Sequence, residues 1–369
     1  MKRTISIRLD TTQKQGQQLL QLQEAYRNAC NQIVADAVAN RCWNRVALHK
    51  LVYTKTRLAS PLGSQMVCNA IYSVCKAYQA KSILPDEEVP VLSFHKGRSV
   101  HFDKRTYTIK GETITLYTLE KRIKVPLKFG PFQKAYFLQG ISKEGELVCK
   151  KGKWYFNLVL DLPDPILEKG ECLFGVDLGE NNVFATSSNV LFSGGRIRFE
   201  RDQFFAKRRA LQSNGSQSAK QLLKKISGKE SRRMKQTNHE LSKRIIREAI
   251  EQNAGTIVLE DLTNIRKRIK AGKRMRTRLH RWGFRQLQTF IEYKAEAKGL
   301  SVLYVNPAYS SQTCSACGCL GVRKRHLFKC SCGSQQHADW NASRNLCRLA
   351  LGFPNATCAV NRTQVAAKC

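Results

Sequence analysis

The sequence predicts a multidomain protein: an α/β domain, an N-terminal antiparallel β-barrel or sandwich carrying a helical insertion, and a small metal-stapled loop. Three observations predict it. Hydrophobic residues recur with period two from about residue 89 to 162. From Cys172 onward, strand-like runs alternate with helical ones. Near the end, Cys314-x-x-Cys317 is followed by Cys330-x-Cys332, and seven residues later by Asp339.

Ile5, Ile7 and Leu9 alternate with Thr4, Ser6 and Arg8, the signature of a half-buried strand. Residues 12–39 change to helical spacing through Leu19, Leu22, Tyr26, Cys30, Ile33, Val34 and Ala37. A second helix begins at about Leu62, after Pro61, with Met66, Ala70, Ile71, Val74 and Tyr78 on one face, and ends near Pro85. Short strands then follow at 100–102, 106–109, 114–116, 123–125, 135–137 and 154–160, punctuated by Gly111, Gly130 and Gly145 at hairpin spacing. The N-terminal strand is expected to join this sheet, with the helices as an insertion, and Pro163-Asp-Pro165 to end it.

Residues 173–186 predict a strand, a Gly/Asn turn and a second strand. A basic helical region runs from about Phe204 to Gln252, with breaks expected near Ser213-Asn-Gly215 and at Gly228. Thr256–Leu259 is a buried strand ending at Glu260; 284–298 is a helix and Ser301–Val305 a strand. Such alternation implies an α/β layer.

Composition narrows the function. There are 63 Lys and Arg against 28 Asp and Glu, a net charge of +35. A field of that size needs a polyanion to neutralise it, so nucleic acid is the expected partner. The charge is spread along the whole chain rather than gathered in one amphipathic helix, which argues against a membrane surface. No apolar run is long enough to span a bilayer. Met1-Lys-Arg-Thr-Ile reads as a strand, so a cytoplasmic, reduced protein is expected and the 14 cysteines are not read as a disulfide scaffold. Cys30, Cys68 and Cys75 sit in apolar helical patterns, as small buried thiols do.

Three acids end or begin predicted elements: Asp177, Glu260 and Asp339. Singly they read as a turn residue, a strand end and a helix N-cap. Brought together, three carboxylates can hold two divalent ions about 3.5–4 Å apart, as metal-dependent nucleases do, and Mg²⁺ suits all-oxygen ligands. Asp261 would point to the opposite face from Glu260 and is the weaker candidate. Two thiolate pairs in a reduced protein favour Zn²⁺ closed in a tetrahedral site, hence structural. The ligands are Cys314, Cys317, Cys330 and Cys332, with Cys319 or His326 as possible replacements for one of them. Residues 266–285 hold ten Lys or Arg and no acid, with Trp282 and Phe284 among them. This run, with Arg266, Lys267, Arg268, Lys273, Arg274, Arg276 and Arg278, fits phosphate clamping beside the chemistry, as do Lys224, Arg232 and Arg233 in the preceding helix.

In series, these motifs resemble the TnpB family, the insertion-sequence-encoded, RNA-guided DNA endonucleases related to type V CRISPR effectors. The match rests on Gly175-Val-Asp177-Leu-Gly179, Val258-Leu-Glu260-Asp-Leu262, and Asn306 through Gly318. It continues in Phe328-Lys-Cys-Ser-Cys-Gly333 and Ala338-Asp-Trp-Asn-Ala-Ser-Arg-Asn345. Asn238-His239 with Ser242 resembles the family's basic helix and adds Asn238 and His239 to the nucleic-acid-binding candidates. The likeness covers about 172–346; the N-terminal half matches in layout only.

The resemblance implies an RNase H-like RuvC nuclease domain over 166–310 and 335–350, holding Mg²⁺ at Asp177, Glu260 and Asp339. It implies a zinc-bearing target-nucleic-acid-binding loop at 311–334, a wedge-like barrel at 1–10 and 86–165, a helical recognition insertion at 11–85 and a tail at 351–369. The implied partners are a guide RNA and double-stranded target DNA, with RNA supplying sequence choice by base pairing. The oligomeric state stays open between monomer and dimer. Two departures stand out: Cys330-Ser-Cys332 replaces the usual Cys-x-x-Cys, and His337 occupies a position where many members carry an acid. A guided repressor without cleavage and a guide-independent zinc-bearing transposase are the alternatives. A miniature type V CRISPR effector would look much the same.

Overall fold

The computed structural model describes residues 1–81, 83–84, 86–165, 170, 172–262, 283–306 and 309–353. The chain divides into two compact units, Met1–Pro163 and Asp164–Cys369.

In the first unit, β1 (Lys2–Leu9) leads into α1 (Gln13–Ala39), α2 (Arg45–Ala59) and α3 (Ser64–Gln79). Then come β2 (Val100–Asp103), β3 (Tyr107–Lys110), β4 (Thr113–Leu116), β5 (Ile123–Lys128), α4 (Pro131–Gln139), β6 (Ile141–Lys150) and β7 (Lys153–Asp161). The strands form one seven-stranded sheet in the order β2-β6-β7-β1-β5-β4-β3. As expected, β1 belongs to it, pairing antiparallel with β7 and β5. Phe102 on one edge strand and Tyr107 on the other both lie against Phe156 of β7, at 5.8 and 5.1 Å between ring centres. The two edges therefore curl toward each other, giving a barrel-like sheet.

Three expectations need correction here. The segment expected as a strand at 135–137 is α4: Pro131 stands at the first helical positions, and no β-branched residue follows through Gln139. Gly145 does not mark a turn but lies inside β6, where the ring of Phe156 comes within 2.4 Å of the place a Cβ would take. Helix α2 went unassigned because only Leu48, Val52 and Thr56 are buried along it; it starts where Asn44 accepts the N–H groups of Val46 and Ala47.

The second unit begins with β8 (Cys172–Asp177), β9 (Asn182–Thr186) and β10 (Leu191–Ser193). The long helices α5 (Gly195–Asn214) and α6 (Gln217–Glu251) follow, then β11 (Ala254–Glu260), α7 (Phe284–Glu296) and β12 (Ser301–Val305). The sheet order is β10-β9-β8-β11-β12, with β8, β11 and β12 parallel and the other two antiparallel. The basic helical region breaks at Gly215 as expected, but Gly228 lies uninterrupted within α6. A three-stranded sheet, β13 (Val322–Lys324), β14 (Leu327–Lys329) and β15 (Gln335–His337), runs directly into α8 (Ala338–Ala350).

Strand alternation sorts the five-stranded sheet into two faces. Phe174, Val176, Ile257 and Leu259 pack with Leu241 and Ile245 of α6 and Leu287 and Ile291 of α7. Each such buried side chain contributes about 1.5–3 kcal/mol. Gly175 and Asp177 point to the other face, against α8. A Cβ at Gly175 would lie 2.0 Å from the Ser343 carbonyl, so glycine is what lets α8 cross β8 this closely. Among the described residues no helix is long and apolar enough to cross a membrane.

Candidate active site and thiolate cluster

Asp177 and Glu260 end adjacent parallel strands. Leu259 sits opposite Val176, so the next residues along, Glu260 and Asp177, come side by side, and their carboxyls hydrogen-bond to each other. Gln288 of α7, itself buried, donates to the Glu260 carbonyl at 2.8 Å and fixes the end of β11. Asp339, in the first turn of α8, brings a third negative charge near enough to act on Asp177. Asp261 is exposed, consistent with its weaker candidacy.

The electrostatics follow from this crowding. Asp177 is pushed up to about 7, first by burial and then by the negative charge of Asp339, with Arg323 pulling the other way. Burial, and then Asp177, hold Glu260 well above the usual carboxylate range. The pair therefore keeps a proton at neutral pH unless positive charge replaces it. Clustered, partly protonated carboxylates at a sheet end are a donor set that fits hard divalent ions.

Asp339 is held on every side. Asn182 donates to its Oδ2 at 2.8 Å, and Arg323 to its Oδ1 at 2.9 Å. His337 accepts the Asp339 backbone N–H at 3.2 Å and so caps α8. Burial lowers the pKa of His337, leaving a neutral imidazole at pH 7. Arg323 and Asn182 escaped the sequence reading. Arg323 lies in the three-residue strand β13 between the cysteine pairs, too short to show alternation, and Asn182 looked like one more turn residue. No periodic signal marks either.

The four cysteines come together: Cys314, Cys317, Cys330 and Cys332 have their sulfurs within 4.8 Å of one another. Cys314 and Cys332 are 3.8 Å apart, and Cys317 and Cys330 3.5 Å. Four Zn–S bonds of about 2.3 Å would set tetrahedral sulfurs about 3.8 Å apart, so the cluster fits zinc. The short Cys330-Ser-Cys332 pair reaches because Gly333, at φ 87°, turns its N–H back onto the Cys330 carbonyl. Gly318, at φ 82°, closes the first pair onto Cys314 in the same way. Cys319 lies outside the sulfur group; its carbonyl accepts the Cys314 N–H within that turn. His326 lies outside the sulfur group, stacked on His337.

Two buried asparagines tie this loop to α8. Asn341 donates to the Thr313 carbonyl at 2.7 Å and accepts from Ser315 N–H and Gln336 Nε2. Four residues on, Asn345 donates to the carbonyls of Ser310 and Thr313. The Asp339-Trp-Asn341 and Arg344-Asn345 motifs thus carry one acid and two loop anchors on a single helix.

The basic candidates divide. Lys224 and Arg232 are exposed on α6, while Arg233 forms a two-pronged ion pair with Glu200 at 2.8 Å. Asn238 is buried and bonds Gln286 of α7, and His239 stacks on Phe290, with ring centres 4.0 Å apart. Both serve helix packing in this structure. Arg266, Lys267, Arg268, Lys273, Arg274, Arg276 and Arg278 lie outside the described residues.

Residues 284–346 match the family model for the Cas12f1-like TNB domain. Over 243 residues the chain is 33% identical to a TnpB-like protein of Methanocaldococcus jannaschii, covering 61% of this chain and 86% of that one. The chain belongs to the TnpB family. This TnpB-family chain is also 34% identical, over 218 residues, to the CRISPR-associated endodeoxyribonuclease Cas12f1 of Sulfoacidibacillus thermotolerans; the match covers 53% of this chain and about half, 50%, of that relative. Among solved structures, a Cas12f1 captured with guide RNA and target DNA superposes with a TM-score of 0.63 at 19% identity, covering 91% of this chain and 83% of that one. CasPhi-2 bound to crRNA gives a TM-score of 0.52 at 11% identity, covering 98% and 99%. At those identities the likeness is one of fold.

Proposed function

We propose that this TnpB-family chain is an RNA-guided DNA endonuclease whose RuvC-like centre is Asp177, Glu260 and Asp339. The observation that carries it is the Asp177–Glu260 pair at one end of a parallel sheet, with the charge of Asp339 from α8 acting on Asp177. Divalent ions, with Mg²⁺ the natural choice for oxygen ligands, would supply the Lewis acidity that activates water for phosphodiester hydrolysis.

The chain's own residues do the rest. Asp177 and Glu260 give up their shared proton on loading. Asn182 and Arg323 fix the rotamer of Asp339 and moderate its charge. The thiolate cluster, as a closed zinc site, locks the β13–β15 loop that delivers Arg323. The +35 charge holds a guide RNA and the DNA paired with it through phosphate contacts, so that base pairing sets the target.

The test is purification from cells carrying the native flanking DNA, with sequencing of the RNA that co-purifies. A discrete RNA ending in a variable segment, and Mg²⁺-dependent cutting of DNA matching it, is the expected result. Cutting without RNA would favour a guide-independent transposase. Guided binding without cutting, at every divalent ion tried, would favour a repressor.

A further inference from the structure

The geometry points to a second metal site, for a transition dication such as Ni²⁺ or Zn²⁺, built from His326, His337 and Asp339. Each of the three offers one ligand atom, and these atoms all lie within 4.8 Å of one another. The two imidazoles come from different elements: His326 from the turn before β14, and His337 from the end of β15. Their rings stack at 5.5 Å between centres, with a nitrogen of each close to the Asp339 carboxylate.

The chemistry distinguishes this site from the acid pair on the other side of Asp339. Imidazole nitrogens select Ni²⁺, Zn²⁺ and their neighbours, whereas Mg²⁺ prefers oxygen alone. Three protein ligands leave coordination positions open. His326 and Asp339 also line a cavity of about 280 Å³ whose wall includes Asn182, Arg323 and Arg325, suited to water or an anionic oxygen.

Binding there has consequences. The Asp339 N–H bond to His337 Nδ1 is long, at 3.2 Å, and is readily exchanged for a metal bond. Arg323, now 2.9 Å from Asp339, has to yield its place on the carboxylate. An ion at the histidines thereby takes Asp339 from the acid pair, so micromolar Ni²⁺ or Zn²⁺ inhibits any activity that needs Asp339, even in millimolar Mg²⁺.

The measurement is calorimetric titration of Ni²⁺ into the 369-residue chain with its cysteine cluster already zinc-loaded and Mg²⁺ in excess. The expected result is one equivalent at micromolar affinity. His326→Ala, at an exposed residue, is expected to weaken it at least tenfold with unchanged melting temperature and zinc content. His337→Asn keeps a capping acceptor for α8 and is expected to weaken binding as well. Asp177→Ala, which removes a charge near Asp339 but no ligand of this site, should weaken it less than His326→Ala does. No Ni²⁺ bound over Mg²⁺, or binding indifferent to His326→Ala, overturns the site. The readout is binding, so a chain that proves unable to cut DNA would sink the nuclease reading and leave this one standing.

Discussion

Arg323 lies 2.9 Å from Asp339 and is the counter-charge that the zinc-fitting loop hands to the third acid of the proposed centre. It also pulls down the pKa of Asp177. One guanidinium therefore serves two carboxylates, hydrogen-bonding Asp339 and drawing down the pKa of Asp177.

Replacing it has two readable effects. Arg323→Ala should lower cleavage about 10- to 100-fold at fixed Mg²⁺, in the range found when a partner of a metal ligand is removed. It should also move the pH–rate profile to higher pH, because Asp177 loses a neighbouring positive charge. A rate loss with an unmoved profile would mean that Arg323 serves DNA rather than the acids.

The pH dependence of stability has a definite sign. Asp177 titrates at about 7 in the folded chain, against about 3.9 for an ordinary aspartate. Between those values the folded state binds more protons than the unfolded one, so metal-free stability falls as pH rises through this window. Mg²⁺ competes with that proton, and its affinity should rise about tenfold per pH unit up to pH 7 and then level off. Thermal melts from pH 5.5 to 8.5, with and without Mg²⁺, should show a stabilisation by metal that grows with pH. A constant increment would contradict the shared-proton picture.

Much of this was legible in the chain, for physical reasons that differ by element. The three acids could be seen because each ends an apolar run or opens a helix, and the cysteines because of their spacing. The barrel strands were visible wherever one face is buried. Helix α2 was not, because it buries only one residue per turn. Gly145 read as a turn because the sequence does not reveal that Phe156 needs the space above it. Asn238 and His239, candidates for nucleic-acid contact in the sequence, also bridge α6 to α7. A polar side chain's partner is set by tertiary packing, which leaves no period in the sequence.

The asparagine anchors give a stability prediction. Asn341 is fully buried and makes three hydrogen bonds to the loop before and after the first cysteine pair. Asn341→Ala orphans the Ser315 N–H and leaves the Thr313 carbonyl to Asn345 alone, and should cost about 1–3 kcal/mol in denaturant melts. Asn341→Asp keeps the shape but cannot donate to Thr313, and should recover only part. Full recovery by aspartate would show that shape alone matters there.

The thiolate cluster predicts one metal equivalent. Wild-type protein should hold a single tightly bound zinc, and Cys314→Ser should release it and lower the melting temperature. Cys319→Ser should retain it, since the Cys319 sulfur lies outside the group formed by the other four. Zinc lost from both variants would place Cys319 among the ligands.

Gly175 tests whether the acid geometry depends on how closely α8 crosses β8. Gly175→Ala puts a methyl where the Ser343 carbonyl stands, 2.0 Å away. Backbone cannot swing aside as a long side chain does, so α8 must shift, at about 1–3 kcal/mol. Since α8 carries Asp339 while β8 carries Asp177, the same shift separates the acids. Cleavage should therefore fall by more than the lost stability explains, and measured Mg²⁺ affinity should fall with it. Gly228→Ala is the matched control. It sits inside α6, with nothing nearer its Cβ position than the Arg232 side chain at 3.4 Å, and alanine there should stabilise by about 0.5–1 kcal/mol with activity unchanged. If Gly175→Ala instead keeps full Mg²⁺ affinity, the acids do not depend on that crossing, and Asp339 must be positioned by Asn182 and Arg323 alone.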